Sequence, residues 1–232
     1  MRKSLTIVAV ADTKVIETIN ALKISSNKIN CKKVVLLSSK NIDRFYFFKE
    51  LKIIKISPLK SFKDYNHFII YHLHKYITSS HILLVQWDGF IVNGKKWDDK
   101  FLAYDFIGAP FIPRAKNYSY SRDKYGDFYS NGNGGFSLRS LNLLRAASKY
   151  KLSDNKSRTH NHEDGFFSVY HRKFLESKGL KWAPFSLAKK FSIETPLNFR
   201  DFFDLPFGFH GKKLLKMHPK ILFIRFINIF LL

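Results

Sequence analysis

Short apolar runs bounded by turn residues alternate with segments of helical spacing, and this alternation constrains the chain more than any other feature. Leu5–Ala11, Lys33–Leu37, Ile53–Ile56 and His81–Gln86 read as strands. Val15, Ile16, Ile19 and Leu22 recur at the spacing of one helix face, and Tyr65–Ile77, Leu141–Lys149 and Asp164–Lys178 predict further helices. Tyr104–Ala109 and Phe191–Ile193 read as additional short strands, and Phe136–Ser137 begins another element. Phe45–Leu51 reads as a short helix or loop, and Tyr118–Tyr129 and Lys151–Asn161 read as polar loops. Near-continuous apolar strands separated by helices predict an α/β fold with a mainly parallel sheet. Ligands in such sheets sit at the carboxyl ends of the strands. Asp12, Asp88 and the glycine turn at Asn131–Gly135 all fall just after predicted strands, which predicts that they share one crevice.

The chain has 232 residues, enough for one large domain, and its 45% hydrophobic content excludes wholesale disorder. Cys31 is the single cysteine, so no internal disulfide forms, which suits a reducing compartment. The formal net charge of +22 calls for polyanions: nucleic acid, anionic lipid or a phosphorylated glycolipid. No zinc-ligand spacing, basic region with heptads or aromatic RNA-binding signature accompanies that charge, so nucleic acid is not the expected partner. Arg2 and Lys3 before Leu5–Ala11 resemble a leader, but the run reads better as a buried first strand.

Two stretches carry the chemistry. Leu83–Phe90 is an apolar run that ends in Asp88, a common way to present a metal ligand at a sheet edge. Asn131–Ser140 is a glycine-rich turn followed by a helical pattern, which lets backbone approach a ligand and aims helix amides at it. His162-Glu163-Asp164 then adds an acidic pair. A metal carboxylate, a glycine shelf and a second carboxylate are the minimum parts for moving a group off a diphosphate. Trp87 and Trp182 read as core residues more than as sugar platforms, and Arg139 reads equally as a phosphate contact or as a solvated or capping residue.

After Leu205 the chain has no acidic residue, while Lys212, Lys213, Lys216, Lys220 and Arg225 are basic. Ile221–Leu232 is almost wholly apolar apart from Arg225 and Asn228, which a helix would place on one face. A short basic amphipathic helix of this kind lies in a membrane interface, or else docks on its own domain. The expected division is a domain over 1–211 and a basic amphipathic tail over 212–232.

Taken in order, Gln86-Trp87-Asp88-Gly89, Tyr104–Pro110, Gly132–Ser140, Glu163–Phe167, Ala183-Pro184, Phe191–Glu194 and Pro206–Gly211 resemble a bacterial family found with cell-surface polysaccharide genes. That family looks related to GT-A glycosyltransferases and, more distantly, is similar to the β-1,4-galactosyltransferase group. The resemblance implies a GT-A-like, Rossmann-like sheet flanked by helices, over about residues 4–211. It implies that Asp88 is the metal-binding member of an Asp-X-Asp motif whose first acid is here Gln86, and that His210 is a second metal ligand. Asp164 would be the catalytic base, and Glu163 would bind a hydroxyl of donor or acceptor. Val10, Ala11, Gln86, Gly134 and Gly135 are the expected donor contacts. Oxygen ligands suit Mg²⁺ or Mn²⁺, and a histidine favours Mn²⁺. The expected function is transfer of a sugar from a nucleotide-diphosphate sugar to a surface glycan or lipid-linked acceptor, with inversion. The expected location is cytoplasmic, peripheral on the inner face of the cytoplasmic membrane through Lys212–Leu232. A metal-dependent phosphoesterase and a basic nucleic-acid-binding protein are the competing readings.

Overall fold

Strand β1 (Arg2–Val10) shows why the first apolar run is continuous. Leu5, Ile7 and Ala9 enter one apolar layer, Val8 and Val10 the opposite one. The same alternation holds in β2 (Cys31–Ser38) and β4 (His81–Leu84): Val34, Leu36 and Leu83 face the first layer, Val35, Leu37, Ile82 and Leu84 the second. A strand covered on both faces needs apolar residues at every position. The structure, a computed structural model, describes residues 2–111, 121–123, 125–153, 162–196, 201 and 203–230. The predicted loops Tyr118–Tyr129 and Lys151–Asn161 therefore lie partly outside the described residues, as do the last two residues of the tail.

The main sheet has the order β3-β2-β1-β4-β6-β5, where β3 is Leu51–Lys55, β5 is Phe106–Gly108 and β6 is Ser137–Ser140. β3, β2, β1 and β4 are parallel, while β6 pairs antiparallel with both β4 and β5. Helix α1 (Val15–Ser26) packs on one face with Ile19 and Leu22. Helix α2 (Phe62–Tyr71) packs on the other with Phe68 and Ile69. Ser61 caps α2 by accepting from the Asp64 amide, and Ser140 caps α3 (Leu141–Lys149) by accepting from the Leu143 amide. The architecture is the expected α/β domain with a mostly parallel central sheet flanked by helices.

The predicted helix Asp164–Lys178 is broken into α4 (Glu163–Gly165), a π-helical turn (Phe166–Tyr170) and α5 (Arg172–Ser177). Helix α6 (Phe185–Phe191) leads to a two-stranded parallel sheet of β7 (Ser192–Ile193) and β8 (Gly208–Phe209). Helices α7 (Lys212–Met217) and α8 (Pro219–Phe230) follow. Leu214, Leu215, Ile221 and Ile224 enter the same core as Ile19 and Leu22 of α1, so the basic tail packs on the domain. Among the described residues no helix is long and apolar enough to cross a membrane.

Candidate functional site

The carboxyl edge of the parallel strands gathers most of the residues singled out by sequence. Val10 and Ala11 close β1, and Gln86 and Trp87 follow β4. With Asp12, Thr13, Leu59, Lys60, Phe62 and Tyr65 they line a crevice of about 370 Å³. Its lining mixes aliphatic (Val10, Ala11, Leu59), aromatic (Phe62, Tyr65, Trp87) and polar side chains. Asp12 lies in it but is committed to structure: its carboxylate accepts from Ser38 Oγ, the Ser39 amide and hydroxyl, and the Leu59 amide. These bonds join the loops that follow β1, β2 and β3. Burial works to raise the Asp12 pKa, and the donors outweigh it, so the carboxyl sits below its ordinary value.

Two cations approach the Trp87 ring. Lys14 Nζ lies 6.0 Å from its ring centre and Lys212 Nζ lies 5.7 Å away. Lys14 has left-handed backbone (φ 52°) at the start of α1, and Lys212 opens α7. Residues from both ends of the chain thus meet over one indole at the crevice mouth.

Behind Trp87 the chain turns at Asp88-Gly89, and Phe207–Gly211 runs back along Asp88–Val92. The Val92 amide donates to Phe207 O, the Phe209 amide to Phe90 O and the Gly211 amide to Asp88 O. This antiparallel alignment sets His210 against Asp88. His210 Nε2 lies 3.2 Å from Gln86 Oε1 and 3.6 Å from Asp88 Oδ1, and its Nδ1 lies 3.4 Å from Glu194 Oε1. Gln86 Nε2 in turn donates to the Tyr65 hydroxyl at 2.8 Å. Asp88 is 5% exposed, and its Oδ1 is buried without a hydrogen bond. Burial pulls the His210 pKa down, but the flanking Asp88 and Glu194 carboxylates outweigh it and hold it at about 9.

The glycine turn reaches this edge by a route the sequence did not show. It precedes β6, a strand, rather than a helix, so no helix amides are aimed from it. Because β6 is antiparallel to β4, its beginning lies at the carboxyl edge of its neighbours. Gly135 is there because nothing larger fits: a Cβ would lie 2.1 Å from His210 Nε2. A Cβ on Gly134 would lie 2.3 Å from Glu163 Oε1 and 2.8 Å from Arg139 Nη2.

Glu163 and Asp164 open α4 and are both buried. Asp164 Oδ2 accepts from the Gly134 amide at 3.0 Å, and its Oδ1 from the Gly165 amide at 2.8 Å. Glu163 Oε2 pairs with Arg139 Nη1 at 2.7 Å, and the Arg139 side chain is fully buried. Burial raises the Glu163 pKa against the opposing pull of Arg139. Arg139 also donates to Ser137 Oγ and Gly134 O, so it is neither a phosphate contact nor a helix cap. Asp88, His210, Gln86 and Gly135 are in one cluster, and Gly134, Glu163 and Asp164 form a second. Tyr65 faces both: it holds Gln86, and the charges of Glu163 and Arg139 act on its hydroxyl. Tyr65 and Glu194 were not singled out by sequence reasoning. Glu194 stood in a recognised motif, whereas Tyr65 looked like one of the apolar positions of α2.

Among the described residues no three His, Cys, Asp or Glu side chains are grouped to hold a metal ion. The cluster offers one carboxylate, one imidazole and one amide oxygen instead. Two atoms bound to the same cation at about 2.1 Å lie roughly 3.0–3.6 Å apart for bond angles of about 90–120°. The His210 distances of 3.2 and 3.6 Å fall in that range. Asp88 Oδ1 is buried, accepts no hydrogen bond from the described residues and has the His210 imidazole near it at 3.6 Å, so it has capacity left for a cation. Asp88, His210 and Gln86 therefore fit a divalent metal.

The fold is that of the GT-A-like α/β class. Among solved structures with this architecture is galactosyltransferase LgtC in complex with donor and acceptor sugar analogs (TM-score 0.57, 14% identity, 88% of this chain and 86% of that one). An active-site mutant of LgtC is similar too (TM-score 0.53, 13% identity, 92% of this chain and 91% of that one). Residues 49–210 match the family described as "Protein of unknown function (DUF5672)", and the chain belongs to that family. No curated protein matches the chain by sequence.

Proposed function

We propose that the protein is a metal-dependent glycosyltransferase that moves a sugar from a nucleotide-diphosphate donor to a hydroxyl of a surface glycan or lipid-linked acceptor. One observation carries the reading. The buried Asp88 Oδ1, which accepts no hydrogen bond from the described residues, lies 3.6 Å from His210 Nε2, itself 3.2 Å from Gln86 Oε1, at the carboxyl edge of a parallel sheet and next to a crevice of mixed polar, aliphatic and aromatic lining. Similarity of fold to a galactosyltransferase supports it.

In this reading Asp88, His210 and Gln86 hold Mn²⁺ or Mg²⁺, which offsets charge on a leaving diphosphate when bound. Val10, Ala11, Trp87 and Tyr65 line the donor crevice. Gly135 lets His210 approach closely, and Gly134 holds Asp164 by its amide. The acceptor oxygen bonds to the anomeric carbon while the bond from that carbon to the diphosphate oxygen breaks. The acceptor's proton passes to Asp164, the assigned base of an inverting displacement. Glu163, paired with Arg139, orients a substrate hydroxyl.

The tail gives the proposed location: peripheral, on the inner face of the cytoplasmic membrane. Ile221 and Ile224 of α8 face the core, while Leu222, Phe223, Phe226 and Met217 are exposed beside Lys213, Lys216 and Lys220. An apolar face rimmed by lysines is complementary to an anionic bilayer surface.

Thermal melting with nucleoside diphosphates, with and without Mn²⁺, tests the reading. A ligand at a hundred times its dissociation constant stabilises by about 2.7 kcal/mol. The Mn²⁺-dependent part of the shift is expected to vanish in Asp88→Asn. No shift with any nucleotide, or one that Asp88→Asn leaves intact, overturns it.

A further inference from the structure

The ligands in front of His210 carry one formal negative charge, on Asp88, because position 86 is an amide. A divalent cation held there by Asp88, His210 and Gln86 alone would be buried with surplus positive charge, which is costly at low dielectric. The other side of the imidazole holds a second carboxylate. Glu194 follows β7 directly, and its Oε1 lies 3.4 Å from His210 Nδ1. Two features keep it there. The His210 amide donates to Ile193 O at 2.9 Å, which fixes the backbone of the two residues side by side. Gly211 has φ 113°, and a Cβ there would lie 3.4 Å from Glu194 Cγ, so the glycine leaves Glu194 its place.

Resting on the metal-dependent reading above, we infer that Glu194 is a positioning residue for His210. Its carboxylate attracts the Nδ1 proton across an ion-pair distance of 3.4 Å, so that Nε2 presents a lone pair toward Asp88 and Gln86 when a cation replaces the Nε2 proton. Through the ring it also supplies the second negative charge that an amide at position 86 withholds. Carboxylates behind metal-binding imidazoles act in this way in general. Tyr65 performs the matching task for Gln86: with Nε2 donating to the Tyr65 hydroxyl, Oε1 is the atom turned to His210. Three lone pairs then converge once Nε2 gives up its proton, and a metal cation takes the place that this proton holds without it. The sequence departure at Gln86 is thus compensated within the fold, from a residue 108 positions away along the chain (194 − 86).

The test is a titration of Mn²⁺ alone into the full chain, followed by the paramagnetic resonance of the free ion. Glu194→Ala is expected to weaken Mn²⁺ binding about 10–100-fold. Glu194→Gln keeps an acceptor for Nδ1–H but not the charge, and is expected to fall between Ala and the parent. Adding Gln86→Glu to Glu194→Ala returns a negative charge to the front of the site and is expected to recover most of the affinity. Nitrogen chemical shifts of His210 report the second half of the inference: a single Nδ1–H tautomer in the parent with Mg²⁺, a mixture in Glu194→Ala. The Glu194 side chain is 37% exposed, so these variants are expected to fold, and their melting curves check it. If the parent binds Mn²⁺ and all three variants bind it equally well, the role of Glu194 falls and the metal-dependent reading stands. If the parent binds neither Mn²⁺ nor Mg²⁺, both fall together.

Discussion

At the scale of single residues, the two adjacent glycines separate function from stability. Ala at 135 meets the ring of His210 alone, so the clash displaces one imidazole and no backbone. Gly135→Ala is therefore expected to keep the melting temperature within a few degrees while weakening Mn²⁺ binding by about tenfold or more through displaced His210. Ala at 134 meets both members of a buried ion pair, which cannot move without exposing charge to an apolar interior. The acidic residues divide similarly. Asp164→Asn is expected to lower kcat by about 10²–10⁴-fold with little change in donor KM, because a base acts in the transition state. Glu163→Gln leaves Arg139 charged and unpaired in the interior, so it is expected to cost about 3–5 kcal/mol in a denaturant titration. If Glu163→Gln abolishes transfer while folded and Asp164→Asn does not, the two roles are exchanged.

At the scale of elements, much of the chain could be read before the structure. The runs that form β1, β2 and β4 were legible because each is buried on both faces, the half-exposed edge strand β3 showed only through Ile53 and Ile54, and α3 has the predicted bounds Leu141–Lys149. Strand direction was not legible: periodicity is the same for a parallel and an antiparallel strand, so the reversal of β6 came only from tertiary pairing. The break at Phe166–Tyr170 was hidden because the apolar pattern continues through the π-helical turn. The tail was legible as an amphipathic helix, but not that Ile221 would be fully buried against the domain. That changes how its membrane role is tested. Removing α8 would open the core, and even Ile221→Ala is expected to cost about 2–5 kcal/mol in stability. Exchanging the exposed Phe223 and Phe226 for Ser instead should leave melting unchanged and reduce sedimentation with anionic vesicles, most clearly at high salt where the lysines are screened. Equal sedimentation of parent and double variant at every salt concentration would sink the membrane proposal.

At the scale of the whole molecule, contacts between distant parts of the chain build the site. Asp88 was legible as a carboxylate after a strand, but its meeting with His210 depends on backbone pairing across more than half the chain, which no local pattern records. The same holds for the Asp12 knot that ties three loops to the crevice wall. Its lowered pKa gives a sign to acid sensitivity. A carboxylate depressed in the folded state stabilises above its unfolded value, about 3.9, and loses that contribution as pH falls through the folded value. Asp12→Asn should therefore be less stable than the parent at pH 7, with the gap narrowing below about pH 4. A gap constant from pH 7 to pH 3 would show that the charge of Asp12 does not matter. Trp87 stands where these long-range contacts end, close to the lysine that precedes the first helix and to one from the tail. Cations close to an indole perturb its excited state, and of the three tryptophans Trp87 alone lines the crevice. The molecule thus carries its own optical reporter: anything that enters the crevice and draws away either lysine will shift the emission of one identifiable chromophore, and Trp87→Phe supplies the blank.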